Sequence, residues 1–253
     1  MVKALHDVRL LYVASMRHSF KSPIFIFLSL FQPLMFMLLY MPLLGGLSNS
    51  PGFSGGTVNT FIPGLLVMQA IFEGGFVGFA LIDDIRSGVI NRYLVTPVSR
   101  SAILLGKSLR DATIILMQCL LITFVALPFG LSLNPAGFLL SLVLYALMGI
   151  IMSSLSYGFA LIYKTEDSLA PTMNTITLPL SLLAGIFLPL ALAPVWLQTL
   201  GKINPFAYGV DATRELFVGN FFSFDILAGF ILLGALSVAV FLWALRLLNK
   251  MTK

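Results

Sequence analysis

Long apolar runs alternate with short polar segments along the whole of this chain. A helix needs about 20 apolar residues to cross a bilayer. Six runs are of that order, and they cover residues 24–44, 61–82, 112–130, 137–162, 169–190 and 224–247. Because they leave little chain for a soluble domain, the pattern predicts an all-α integral membrane protein with one transmembrane domain over residues 1–253. The first run is too long for a signal-peptide core, so we expect a retained span there.

Composition supports the same class of protein. The chain is 58% hydrophobic and 10% charged, whereas soluble domains carry roughly 25% charged residues. Such a chain cannot cover itself with charged side chains, so water is not its main solvent.

The distribution of basic residues predicts the orientation. Thirteen of the 15 Lys and Arg residues fall in the N-terminal segment, in segments 83–111 and 163–168, or at the C-terminus. Only Lys202 and Arg214 fall on the other side. The positive-inside rule therefore predicts a multi-pass protein with both termini in the cytoplasm. The net charge of +5 is explained by this topology and by anionic headgroups, and no nucleic-acid partner is needed.

Segment 83–111, DDIRSGVINRYLVTPVSRSAILLGKSLRD, holds eight of the 25 charged residues. We predict a short helix over Arg86–Val95 that ends at Thr96-Pro97, because proline disfavours helix in the residue before it. Ser99 is predicted to cap a new helix that continues as the third span. That helix carries Lys107 and Arg110, expected at the headgroup level. The segment has two interpretations, a docking surface for a soluble partner or an ordinary basic loop at the membrane surface.

The first 22 residues have an amphipathic helical pattern. The mainly apolar side carries Val2, Leu5, Val8, Tyr12 and Met16, and the polar side carries Lys3, Asp7, Arg17, His18 and Lys21. This pattern predicts a helix on the membrane surface over residues 1–22. No metal site is expected at its two histidines, because no third ligand is in sight. Cys119 is the only cysteine, which excludes a disulfide framework and a cysteine metal site.

Polar residues inside the predicted spans are candidates for a transport pathway, because each is expensive in hydrocarbon and usually faces protein or water. Hydrogen bonding between helices explains the same residues without any cargo. Glu73 lies near mid-membrane, where it could attract a cationic or hydroxylated substrate, bind a proton, or serve as a buried structural carboxylate. The candidates, with one aromatic neighbour, are Gln32, Phe36, Gln69, Glu73, Asn174, Thr177 and Ser181.

The outer segment 191–222 is too long and too apolar for a plain loop. We predict one short helix over Pro194–Leu200 and a second that is capped by Asn204, begins at Pro205 and ends before Gly219. Asp211 and Arg214 are three residues apart on the second helix and can pair. Such helices could cap the interface or enter the membrane.

The sequence gives no support for catalysis by this chain. It contains no GxxxxGK[ST] phosphate loop, since the GKS triplet at Gly106-Lys107-Ser108 lacks the required glycine at position 101. Asp83 and Asp84 lack the further nearby carboxylates that a diphosphate-binding enzyme would need. A secondary transporter or channel is an alternative, although the two halves show no matching broken spans.

Two stretches resemble a known family. GVINRYLVTPVSRSAILLGKSL is similar to the signature loop of type-2 ABC export permeases, and GIFLPLALAPVWLQTLGKINPFAYGVDATREL resembles their segment between the fifth and sixth spans. Asp84-Ile85-Arg86 stands where the family more commonly has Glu-Arg. The kinship is closest to the drug-resistance and lipid-exporting branches.

The resemblance implies a six-span permease that pairs with a second copy and with two copies of a separate cytoplasmic ATPase. The 83–100 loop would be the coupling helix in a cleft of that ATPase, and spans one, two and five would line the pathway. ATP and Mg²⁺ would bind to the ATPase and no cofactor to this chain. The implied coupling residues are Asp84, Arg86, Gly88, Asn91, Arg92, Tyr93, Thr96 and Pro97.

The resemblance further implies that the outer helices are re-entrant half-helices that act as a gate in the cytoplasmic membrane of a prokaryote. The implied gate residues are Phe187, Pro189, Asn204, Pro205, Asp211 and Arg214. Hydrophobic drugs, lipids and lipid-linked glycans are all cargo of relatives. The predicted spans contain few charged or aromatic residues that could bind a sugar, and this scarcity favours a drug- or lipid-like amphiphile as cargo.

Overall fold

The computed structural model describes residues 2–20, 23–44, 56–94, 98–187 and 190–250. Within these ranges the regular structure is helical and no β-strand occurs. The helices are α1 (Val2–Phe20), α2 (Pro23–Leu44), α3 (Thr57–Phe76), α4 (Gly78–Arg86), α5 (Val89–Leu94), α6 (Arg100–Ala126), α7 (Pro135–Tyr163), α8 (Glu166–Leu183), α9 (Val195–Ile203), α10 (Pro205–Val218) and α11 (Phe224–Lys250).

Four helical stretches in the described part of the chain are long and apolar enough to cross a membrane. They are Thr57–Arg86, which comprises α3 and α4, Arg100–Phe129, Pro135–Tyr163 and Phe224–Lys250. The predicted first and fifth spans coincide with α2 and α8, which are not among these four. The architecture is therefore that of an all-α membrane protein.

Helices α3 and α7 pack at backbone distance in the centre of the molecule. A Cβ atom added at Gly74 would lie 2.8 Å from the Cβ of Met152, and one at Gly78 would lie 2.5 Å from the Oγ of Ser156. Ser156 also accepts a hydrogen bond from the Gly78 N–H at 2.9 Å and donates one to the Gly75 carbonyl at 2.6 Å. The GxxxG step of the second span thus brings two helices into direct contact.

Helix α10 is held against the start of α7. The side chain of Asn134 caps α7 by accepting hydrogen bonds from the Ala136 and Gly137 N–H groups. The backbone N–H of Asn134 donates to the Phe217 carbonyl at 3.1 Å. A Cβ atom at Gly137 would lie 1.8 Å from the Leu216 carbonyl oxygen. Only glycine at position 137 lets the two backbones come this close.

The N-terminal helix α1 lies along the N-terminal half of α6. Tyr12 donates a hydrogen bond from its hydroxyl to Thr113 Oγ1 at 3.2 Å, and Arg110 donates from Nη1 to Ser19 Oγ at 2.9 Å. At the level of Tyr12, a Cβ atom at Gly106 would lie 2.9 Å from the Cβ of Leu11. Helix α1 is therefore fixed to the third predicted span by packing and by two hydrogen bonds.

Two predicted element boundaries are wrong. Helix α4 runs to Arg86 and α5 starts only at Val89, because Gly88 takes a positive φ of 75° that interrupts the predicted Arg86–Val95 helix. Helix α8 ends at Leu183 and not near residue 190, since Gly185 has a φ of 68° just beyond it.

Candidate coupling and transport site

The predicted coupling segment is anchored to the third predicted span by a partly buried ion pair. Asp84, near the end of α4, accepts a hydrogen bond and ion pair through Oδ2 from Lys107 Nζ on α6. The Lys107 side chain is only 10% exposed. On the surface, Arg86 pairs with Glu166 at the start of α8, with 3.2 Å between Nη1 and Oε1. Exposed pairs such as this one contribute about 0–1 kcal/mol, so the Asp84–Lys107 pair is the stronger anchor.

The remaining predicted coupling residues lie on or beside α5. Gly88 forms the turn before it, and Asn91, Arg92 and Tyr93 are on the helix. The Arg92 side chain is exposed and ready to meet a partner. The predicted Thr96 and Pro97 lie outside the described residues.

A second buried ion pair lies one turn deeper and was missed by the sequence analysis. Arg110 Nη2 and Asp111 Oδ1 are 2.8 Å apart, and the Tyr157 hydroxyl donates to Asp111 Oδ2. The Asp111 side chain is 1% exposed and that of Arg110 is 13% exposed. Lys107 and Arg110 are thus largely buried in protein, where each neutralises a carboxylate, and their position at the headgroup level stays a prediction.

A chain of neutral hydrogen bonds joins α2, α3 and α6 farther into the membrane. Gln69 donates from Nε2 to Gln118 Oε1 at 2.9 Å, and Gln118 donates from Nε2 to Ser29 Oγ at 2.7 Å. The Glu73 carboxylate lies near the Gln118 side chain. Gln118 is thus the centre of the network that contains two of the predicted pathway residues. It was not predicted, although its position in an apolar span could have suggested it.

The other predicted pathway residues are distributed differently. Gln32 and Asn174 are exposed, whereas Thr177 and Ser181 are buried. The Ser181 hydroxyl donates to the Leu178 carbonyl of its own helix at 2.9 Å. The structure therefore separates the predicted polar stripe of α8 into an exposed amide and two buried hydroxyls.

An aromatic cluster joins the predicted pathway to the predicted gate. The ring of Phe36 on α2 lies 5.7 Å from that of Phe187 beyond α8. Tyr40 lies 5.7 Å from Phe36 and 5.6 Å from Phe187, measured between ring centroids. Aromatic pairs at such distances add to the stability gained by burial, so the outer end of α2 is held against the chain that follows α8.

Arg214 contacts several elements at the predicted outer end of the molecule. It donates from Nε to the Thr60 carbonyl at 3.0 Å and from Nη2 to the Gly185 carbonyl at 2.8 Å. Its Nη1 lies 3.6 Å from Asp211 Oδ1, so the predicted pairing of these two residues is confirmed. Burial lowers the pKa of the Arg214 guanidinium, while the nearby carboxylate of Asp211 opposes this shift.

Helix α10, which carries Arg214, begins as predicted. The Asn204 side chain accepts a hydrogen bond from the Phe206 N–H at 3.0 Å, and Pro205 occupies the first turn of the helix. The amide of Asn204 also donates to the Leu180 carbonyl of α8 at 2.7 Å. The predicted gate residue Pro189 lies outside the described residues.

These contacts form three polar levels along the molecule. At the end that carries α4 and α5 charged side chains are paired, and at mid-span amides lie near a carboxylate. At the opposite end one arginine joins α10 to α3 and to the chain after α8. No group of three His, Cys, Asp or Glu side chains among the residues described here could hold a metal ion.

Comparison with known proteins identifies the family. Residues 6–218 match the family described as ABC-2 type transporter. A protein of Pyropia yezoensis named as a transport permease, ycf38, is 27% identical over 222 residues, which is 84% of this chain and 74% of that protein. The daunorubicin resistance ABC transporter permease protein DrrB1 of Streptomyces coeruleorubidus is 25% identical over 197 residues, covering 75% of this chain and 67% of the relative.

A third relative is the inner membrane transport permease YadH of Escherichia coli K12. It is 28% identical over 200 residues, which is 76% of each chain. The family match spans most of the sequence, and the relatives are themselves permeases. This chain therefore belongs to the ABC-2 type transporter family and is a multi-pass membrane subunit of a transporter.

Proposed function

We propose that this chain is the membrane-spanning subunit of an ATP-driven exporter that moves a drug- or lipid-like amphiphile out of the cytoplasm or the inner leaflet. A separate ATPase supplies the energy, and ATP and Mg²⁺ bind to that subunit. The permease carries no catalytic residue of its own. Two copies pair around the pathway, which opens alternately to each side of the membrane.

One observation carries the proposal. Helix α5, with the exposed Arg92, lies between two spans, and the Asp84–Lys107 ion pair ties the segment that precedes it to α6. A push on α5 from the cytoplasm would reach α6 through this pair and through the Arg110–Asp111–Tyr157 contacts just above it. This is the mechanical connection that a coupling helix requires.

The proposed cargo class follows from the mid-span chemistry and from one relative. Gln69, Glu73 and Gln118 place amide and carboxylate groups in a membrane domain that is otherwise apolar. Such a mixture suits an amphiphile better than a simple ion. DrrB1 is named for resistance to daunorubicin, and we extend a related role to this chain.

We place the protein in the cytoplasmic membrane of a prokaryote, with both termini in the cytoplasm. The excess of Lys and Arg in the segments on one side favours this orientation, and the name of YadH gives an inner membrane location for that relative. With this orientation α5 faces the cytoplasm, where an ATPase can reach it.

The test is to purify the tagged chain from its native membrane in mild detergent and to assay the sample for ATP hydrolysis. We expect a soluble ATPase to co-purify in a fixed ratio and to be released by substitutions within residues 86–96. If the chain purifies alone and no stoichiometric complex hydrolyses ATP, the proposal is wrong. An ATP-independent transporter or channel then becomes the better explanation.

A further inference from the structure

Glu73 differs from the other acidic side chains buried at the level of the membrane. Asp84 is paired with Lys107 and Asp111 with Arg110. In the part of the chain that the structure describes, Glu73 belongs to none of the ion pairs. A carboxylate without a cation is costly in a low-dielectric interior, so its negative charge must be neutralised by a proton or by a cation from elsewhere.

The groups around Glu73 are neutral donors or charges that oppose each other. The Gln118 side chain lies near the carboxylate, and Gln118 itself accepts a hydrogen bond from Gln69 at 2.9 Å. Of the charged groups that act on Glu73 through space, Arg110 attracts the carboxylate and Asp111 repels it. Because Arg110 and Asp111 are already paired with each other, neither satisfies Glu73. The carboxylate lies near an amide and keeps its capacity for a cation.

The surface beside Glu73 is aromatic. Phe72 and Phe76 are its neighbours on α3, and Phe79 follows one turn later on α4. All three are only partly buried. The rings of Phe76 and Phe79 lie parallel, at an angle of 3° and with centroids 5.9 Å apart. Glu73 is also partly exposed. The second span thus carries three partly exposed aromatic rings within two turns of a single carboxylate, and each ring also packs against the core.

We infer that Glu73 is a recognition site for cationic amphiphiles, whose positive group pairs with the carboxylate while the apolar body lies on Phe72, Phe76 and Phe79. Aromatic faces attract cations as well as apolar groups, so rings and carboxylate favour the same ligand. This inference rests on the proposed function and narrows its cargo from amphiphiles in general to those with a positive charge.

The first test measures binding of rhodamine 6G, a dye with a permanent positive charge, to the purified complex by fluorescence polarisation. The variants are Glu73→Gln, which keeps the size and the hydrogen bonding of the side chain, and Asp167→Asn, which removes an exposed acid on the cytoplasmic side. Removing one partner of a buried charge pair weakens binding strongly, so we expect Glu73→Gln to lower the affinity by about tenfold or more. Asp167→Asn should bind as the wild type does.

The second test compares export of rhodamine 6G with that of Nile red, an apolar dye without charge, from vesicles energised with ATP. Glu73→Gln should reduce rhodamine 6G export several-fold and leave Nile red export unchanged. Equal loss for both dyes, or no loss for either, would overturn the inference, because Glu73 would then have a structural role. A wild-type complex that exports only Nile red also overturns it and leaves the proposed function standing. A wild-type complex that exports neither dye overturns both.

Discussion

Arg214 on α10 donates a hydrogen bond from Nη2 to the carbonyl oxygen of Gly185, just past the end of α8, at 2.8 Å. The Gly185 carbonyl lies outside the helix, so it has no place in the hydrogen-bond ladder of α8. The guanidinium binds this carbonyl and also donates from Nε to the Thr60 carbonyl on α3. One side chain therefore joins α10 to α3 and to the chain that follows α8.

Replacing Arg214 with lysine should destabilise this end of the protein. Lysine keeps the charge but lacks the planar fork that serves two carbonyls in different directions. Loss of a hydrogen bond to a buried acceptor costs about 1–3 kcal/mol, so the thermal unfolding midpoint of the purified protein should fall. Arg246→Lys on α11, where the arginine is exposed, is the matched control. Equal midpoints for both variants would contradict the assigned role.

The Asp84–Lys107 pair should behave as a buried pair and not as a surface one. Lys107→Met leaves the partly buried carboxylate alone, and breaking a buried pair costs about 3–5 kcal/mol. We expect the lower part of that range, because the Asp84 side chain keeps 26% exposure. The double variant Asp84→Asn with Lys107→Met should recover most of the loss. Thermal unfolding of the wild type, the two single variants and the double variant measures the interaction energy of the pair. If the stability losses of the single variants simply add in the double variant, the two side chains do not stabilise each other.

Tyr157→Phe removes the hydroxyl that donates to Asp111 Oδ2. The carboxylate is buried and would lose a hydrogen bond, at a cost of about 1–3 kcal/mol. Tyr163→Phe, at an exposed position at the end of the same helix, should change the unfolding midpoint little. A Tyr157→Phe protein as stable as the control would mean that Arg110 alone suffices to hold Asp111.

Gly137→Ala should disturb the contact between α7 and α10. The added Cβ would lie 1.8 Å from the Leu216 carbonyl oxygen, so one backbone must move, and overpacking of this kind costs about 1–3 kcal/mol. Gly234→Ala on α11 introduces the same atom where nothing lies within 4 Å. We expect a lower unfolding midpoint for the first variant and an unchanged or raised one for the second. The same midpoint for both would contradict this packing.

Arg92→Glu should uncouple ATP hydrolysis from transport if α5 is the helix that the ATPase holds. A reversed charge at a docking surface lowers the binding free energy by several kcal/mol, and each 1.4 kcal/mol weakens the affinity about tenfold. The membrane domain should remain folded. Lys202→Glu makes the same change of charge at an exposed position in α9, which the predicted topology places on the side of the membrane away from the ATPase. Transport per ATP hydrolysed, measured in vesicles, should fall for Arg92→Glu and remain normal for Lys202→Glu. Normal coupling in both would remove α5 from the docking site.

The sequence predicts the helices of this fold well because the signals are local. Apolar runs mark the long helices, and the caps predicted at Ser99 and Asn204 are confirmed, since both side chains accept hydrogen bonds from N–H groups at the start of their helices. The pairing of Asp211 with Arg214 was also predictable, because both lie within one turn of one helix.

The buried polar contacts were not predictable from spacing. Tyr157 is 46 residues from Asp111, and Gln69 is 49 residues from Gln118. Which residues meet across such distances depends on how the helices pack, and a single sequence carries no signal for it. The partner of Lys107 was missed for the same reason, because Asp84 lies 23 residues away.

The long separations between these partners set an order for biogenesis. When α6 emerges during synthesis, Gln69 and Ser29, the partners of Gln118, have already been made. Tyr157, which completes the contacts of Asp111, is made only later. When the third predicted span enters the bilayer, Gln118 therefore has its hydrogen-bond partners available, whereas Asp111 still lacks the Tyr157 hydroxyl. Insertion of the fourth predicted span supplies that hydroxyl.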